Sequence, residues 1–96
     1  MAASGKPTLA SRVRVNDDAL FQELQGEAVL LNLNSGVYFG LDPVGTRVWQ
    51  LFAEYELLSE LAGAIVAEYD VAEERCAADL LALVANLEQQ GLVTVT

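Results

Sequence analysis

The chain has 96 residues, 53% of them hydrophobic and 20% charged, and its Asp and Glu number 14 against 5 Lys and Arg, for a net charge of −9. That length supports one domain around a single core, without a deep enclosed site, and the composition is too apolar for sustained disorder. An acidic surface repels phosphate, so nucleic acid and anionic membrane are excluded as partners, and neutral or cationic ones remain.

The opening "MAASGKPT" is small and polar, without the apolar core of a signal peptide or the Arg-rich pattern of a transit peptide. No apolar run approaches the roughly 18 residues of a spanning helix. A cytoplasmic protein is expected, with residues 1–16 as a flexible N-terminal extension and 17–96 as the folded domain. The alternating run 11–15 either lengthens the first strand or forms a short one of its own.

Residues 20–24 and 27–33 are apolar-rich runs separated by Gln25-Gly26, which predicts a tight hairpin. A second hairpin follows if Asn34, Ser35 and Gly36 form a three-residue loop closed by a left-handed glycine. That loop sets Leu33 opposite Val37, Leu31 opposite Phe39 and Val29 opposite Leu41, leaving Asn32, Tyr38 and Gly40 on the other face. The strand 37–41 carries no charge and no proline. In a meander that keeps sequence order it is an edge, and soluble proteins normally cover or blunt such an edge.

At Asp42-Pro43 the period becomes helical, with an N-cap residue, a proline suited to the first turn, and Val44, Val48, Leu51, Phe52 and Tyr55 on one face. A second face runs through Leu58, Leu61, Ala62, Ile65, Val66 and Tyr69, and a third through Cys76, Leu80, Leu83, Val84 and Leu87. The second helix starts near Leu57 without a Ser or Thr cap. Glu73 and Glu74 suit the positive end of the third, Gly91 stops it, and "LVTVT" ends the chain as a short extended segment. The predicted fold is α+β: a three-stranded antiparallel sheet followed by three helices, resembling a winged helix-turn-helix.

The residues of ordinary catalysis are missing. The chain has no His to activate Cys76, and Asp17, Asp18, Glu73, Glu74 and Asp79 lack the spacing of a calcium loop. Gly26, Gly36, Gly40 and Gly45 form no phosphate-binding cluster, and Gly45 is expected to let the Trp49 indole or a nearby backbone pack closely. No enzyme activity, cofactor or metal is expected. Cys76 falls on the apolar face of the third helix and reads as a core residue. That helix carries Glu73, Glu74, Asp79 and Glu88 against Arg75, so the helix-turn-helix arrangement does not imply DNA binding.

The segments "EAVLLNLNSGVYFGLDPVGTRVWQLF", "LAGAIVAEYDV" and "ADLLALVANLEQQGLV" resemble the PqqD-like family of peptide recognition elements, from about residue 21 to residue 93. Tyr38-Phe39 and "GTRVW" resemble the standalone members of lasso-peptide antibiotic biosynthesis. The resemblance implies a RiPP recognition element, a chaperone-like module that binds the leader of a ribosomally synthesised precursor peptide. It also implies delivery of that leader to a leader peptidase and a macrolactam-forming cyclase.

Binding in that family implies strand addition beside the third helix, with main-chain hydrogen bonds giving affinity and pockets reading alternate side chains. By position, Val37, Tyr38, Phe39, Gly40 and Leu41 would supply the strand, and Arg75, Cys76, Asp79, Leu83 and Asn86 the helix side. Leu41-Asp42-Pro43 departs from the family's Leu-Asn by exchanging one N-cap for another. Two other readings stay open: a structural or oligomerisation subunit that pairs through the same strand, and a PqqD-type chaperone of quinone-cofactor biosynthesis.

Overall fold

Alternation and turn chemistry shape the first half of the chain. The computed structural model describes residues 6–25 and 27–96. Strands β1 (Val13–Val15), β2 (Ala19–Leu24), β3 (Glu27–Asn32) and β4 (Tyr38–Leu41) precede helices α1 (Pro43–Leu51), α2 (Leu58–Glu68) and α3 (Glu73–Gln89), and β5 (Val93–Val95) comes last. β2, β3 and β4 form an antiparallel sheet in sequence order, so β4 is an edge, and the three helices follow it as expected. Gln25 enters the first hairpin turn at φ 53, while Gly26 lies outside the described residues.

The second hairpin differs from its predicted register by one residue. Leu30 pairs with Phe39 and Leu31 with Tyr38, and the loop takes in Leu33 as well as residues 34–36. Asn32 causes the shift. Its Oδ1 accepts the N–H groups of Asn34 and Ser35, which makes Asn32 the residue that opens the turn. Opposite it, the Gly36 N–H donates to the Asn32 carbonyl at 2.7 Å and the Asn32 N–H donates to the Val37 carbonyl at 2.9 Å. Two residues facing one make a β-bulge, and Gly36, at φ 76, holds its left-handed position.

A one-residue slip reverses the face of every side chain in a strand. Ala28 and Leu30 therefore face the core instead of Val29 and Leu31, and Asn32 is buried among them. The extra residue of the bulge restores the predicted phase of β4: Phe39 and Leu41 pack on the core while Tyr38 and Gly40 are exposed.

The boundary expected at residue 16 falls inside the folded unit. β1 pairs antiparallel with β5, and Val13 is buried in the core with Val93 and Leu92. The same segment resolves the missing cap of α2. Leu57 offers no side-chain bond, but the Leu58 N–H donates to the Ser11 carbonyl and the Ser59 N–H to the Leu9 carbonyl, both at 3.0 Å. Two of the helix's orphan donors are thus satisfied by main chain from residues 9–11.

α1 begins as predicted, with Asp42 Oδ1 accepting the Gly45 N–H at 2.6 Å and Pro43 in the first turn. A side chain at residue 45 would press on Asp42 and Leu41, so the glycine makes room for its own cap and not for the indole. α1 ends at Leu51, short of Tyr55. Trp49 instead meets Phe52 edge to face, with centroids 5.7 Å apart. α3 closes with the Leu92 N–H on the Leu87 carbonyl and Gly91 at φ 74, a Schellman end. Leu30, Leu58, Leu61, Val84 and Leu87 form the fully buried centre between sheet and helices.

Candidate functional site

The edge of β4, the first turns of α1 and one face of α3 enclose a groove of about 520 Å³. Phe39, Gly40 and Leu41 form one wall, and Val44 and Val48 continue it along α1. Ile65, Tyr69 and Val71 close the far end, and Cys76, Leu80 and Leu83 supply the α3 wall. The apolar side chains come from β4, the three helices and the turn after α2; Val48, Ile65, Cys76 and Leu80 belong to the buried core, while Phe39, Leu41, Tyr69 and Leu83 are half-buried and Val44 and Val71 exposed. Arg75 and Asp79 stand at the rim, 3.8 Å apart and largely exposed, so their pairing contributes little to stability.

Of the residues singled out from sequence, Phe39, Gly40, Leu41, Arg75, Cys76, Asp79 and Leu83 line the groove together. Val37 lies in the bulge before β4, Tyr38 stands on the opposite face of the sheet, and Asn86 is exposed one turn along α3 from Leu83; none of the three lines it. The lining residues that sequence reasoning missed include Val44, Val71 and Tyr69. Val44 and Val71 carried a signal: each is an exposed valine at a helix start or in an interhelical turn, where a polar residue is the norm.

β4 aims half of its backbone groups at this groove's side. The Asn32 to Val37 bond fixes the alternation, so Phe39 and Leu41 bond inward to β3 while the N–H and C=O of Tyr38 and Gly40 point away from the sheet. Arg47 grips Glu68 with two parallel bonds of 2.8 Å, joining α1 to α2. The bond from Arg47 holds the Glu68 carboxyl below its ordinary range. Burial, with Asp79 nearby, pushes the Cys76 thiol up, and its sulfur lies 3.9 Å from the Ala62 carbonyl.

The arrangement offers an apolar trough, a row of unpaired main-chain groups and no nucleophile beside a base. Among the described residues no cluster of three His, Cys, Asp or Glu is placed to hold a metal, and no helix is long and apolar enough to cross a membrane.

The family model for coenzyme PQQ synthesis protein D (PqqD) matches residues 27–93. The chain belongs to the PqqD family. The match spans β3 to the start of β5 and so contains the whole groove of this PqqD-family domain. TbiB1, solved in complex with the TbiA(beta) leader peptide, is 36% identical over 83% of this chain and 93% of its own, with a TM-score of 0.76. Lasso peptide synthetase B1, solved in complex with the leader peptide, covers 86% of this chain and 98% of its own with a TM-score of 0.77, and at 23% identity it shares the fold. Comparison with curated proteins finds no match.

Proposed function

We propose that this PqqD-family domain is a RiPP recognition element that binds the leader of a ribosomally synthesised precursor of the lasso-peptide kind. The leader adds as a strand to β4 and lies against α3, and the domain delivers it to a leader peptidase and a cyclase. One observation carries the reading: the unpaired N–H and C=O groups of Tyr38 and Gly40 border an apolar groove of about 520 Å³. Strand addition needs both parts, main-chain partners for affinity and pockets for alternate side chains. The likeness to TbiB1, solved with a leader peptide, supports the choice of ligand.

In this reading the Tyr38 and Gly40 backbone pairs with the leader, while Phe39, Leu41, Cys76 and Leu83 take its apolar side chains. Arg75 and Asp79 meet its polar ones. Val37 and Asn86 mark the same end of the track, where Asn32 bonds both the Val37 and the Gln90 carbonyls.

The test uses proline, which removes a donor and clashes with an added strand. Tyr38→Pro should keep the fold by circular dichroism yet bind the cognate leader more weakly than Tyr38→Ala. The lost hydrogen bond accounts for about 1 kcal/mol, and ring clash adds to it. Phe39→Pro should break the sheet itself. Equal leader affinity for Tyr38→Pro and Tyr38→Ala would exclude docking along this edge.

A further inference from the structure

A strand added to β4 shows its side chains to the two faces of the sheet in turn. Those on the inner face, beside Phe39 and Leu41, enter the groove. Those on the outer face stand beside Tyr38 and Gly40, and there β4 has a gap. A Cβ at residue 40 would meet no atom within 4 Å. Tyr38, 68% exposed, borders the gap on one side, and half-buried Val29, the cross-strand partner of Gly40, forms its floor. Glycine brings no side chain to pack in a strand, and a long or aromatic side chain laid across it from the neighbouring strand covers the bare backbone. At this edge only an incoming strand can supply that side chain.

Charge decides which side chain fits. On the side of the gap away from Tyr38 stand two exposed carboxylates. Glu27 precedes Val29 by two residues on β3 and faces outward, since Ala28 between them is buried and pairs with Leu41. Asp42, extended at φ −78 and ψ 176, follows Gly40 by two residues and caps α1 with Oδ1, leaving Oδ2 for a ligand. The ion pairs among the described residues are Arg47–Glu68 and Arg75–Asp79, so neither carboxylate is in one, and residues 17–42 contain no Lys or Arg. An apolar side chain over Gly40 would leave this charge unanswered, and an acidic one would be repelled. A Lys or Arg satisfies both ends: its apolar stem crosses Gly40 and Val29, its charge meets the Tyr38 ring, and its head reaches the acids.

We infer that the outer face of β4 at Gly40 is a second subsite for the leader, separate from the groove, which takes a Lys or Arg between Tyr38 on one side and Glu27 and Asp42 on the other. The inference rests on the strand addition proposed above. It gives the Tyr38 side chain, which lies outside the groove, a part in specificity. It also gives the leader a pattern: two apolar residues, two positions apart, with a cation between them.

The experiment selects phage-displayed random 12-residue peptides on the full chain. Enriched peptides should carry Lys or Arg between two apolar residues. The strongest is then synthesised and titrated by calorimetry into the wild type, Glu27→Gln/Asp42→Asn and Gly40→Val. Asparagine keeps the α1 cap, and valine suits a strand and has open space at residue 40, so both variants should fold by circular dichroism. Replacing the peptide's cation by Met should weaken binding to the wild type about fivefold or more, and to either variant less than about twofold.

The wild-type penalty should also shrink with added salt. Enrichment of a neutral, aromatic or acidic residue between the apolar pair would overturn the inference, and so would an equal cost of the Met replacement in the wild type and in either variant. Tyr38→Pro separates this failure from the other. Peptides that bind Tyr38→Pro more weakly than Tyr38→Ala, yet carry no cation at that position, overturn the subsite and leave strand addition standing. Peptides indifferent to Tyr38→Pro, or no enrichment at all, overturn strand addition and the subsite with it.

Discussion

The side-chain amide of Asn32 donates to the Gln90 carbonyl at 2.8 Å, fastening the end of β3 to the end of α3. The same side chain accepts the two N–H groups of the hairpin loop, so one residue sets the register of β4 and its position against the groove's helix. Asn32→Ala would leave all three partners short of a bond, and a loss of about 2–3 kcal/mol is expected in urea unfolding. Gly91→Ala forces a positive φ on alanine and sets its Cβ 2.8 Å from Asn32 Nδ2, so it should cost about 1–2 kcal/mol. In the Asn32→Ala background the close contact is gone, and Gly91→Ala should cost less. Strict additivity of the two would show that the contact carries no strain.

Residues 9–11 cap α2 with their carbonyls, and removing residues 1–11 should destabilise the domain by about 2 kcal/mol for two lost hydrogen bonds. Val13→Ala truncates a buried side chain under β5 and should cost a similar amount, about 2 kcal/mol. Thermal melting of both variants measures this. A melting temperature equal to that of the full chain would mean that the segment is not needed to hold the start of α2.

The Arg47–Glu68 pair makes stability depend on acid. Glu68 titrates lower in the folded chain than in the unfolded one, where an ordinary carboxyl sits near ~4.3. The unfolded state therefore takes up its proton first as pH falls. The contribution is complete above the unfolded value and is lost as pH drops through the folded one. Wild type should exceed Glu68→Gln in stability at pH 7, and the difference should close in acid. Both groups are solvent-exposed, so the effect is small and weakens with salt. A constant gap from neutral pH into acid would assign the effect of Glu68→Gln to packing.

Cys76 is only 8% exposed, and burial pushes its thiol up, so little thiolate forms at neutral pH. Native labelling by a thiol reagent should run at least about tenfold slower than in denaturant. Cys76 also lines the groove, and saturating cognate leader should slow the labelling further. An unchanged rate with leader bound would remove Cys76 from the contact surface.

Much of this molecule is determined by the residue pattern alone, because local chemistry decides it. Asp42-Pro43 starts α1, Gly91 ends α3, and Gly36 takes the left-handed turn position, each through its own backbone preferences. The apolar spacing of Leu58, Leu61 and Ile65 and of Cys76, Leu80 and Leu87 likewise places two helix faces in the core. The β4 and α3 walls of the groove were expected only from the resemblance to the PqqD-like family, and Phe39, Gly40, Leu41, Arg75, Cys76, Asp79 and Leu83 do line one space.

Other features depend on partners distant in the chain. The face of β3 was misread because apolar residues occupy both of its sides, and the choice rested on a buried Asn32 whose partner is Gln90. The pairing of β1 with β5 and the capping of α2 by residues 9–11 are likewise invisible locally, since main-chain acceptors leave no mark on side-chain sequence. Tertiary structure alone brought Val44, Tyr69 and Val71 to the groove, because only packing joins the start of α1, the end of α2 and the turn after it around one apolar space.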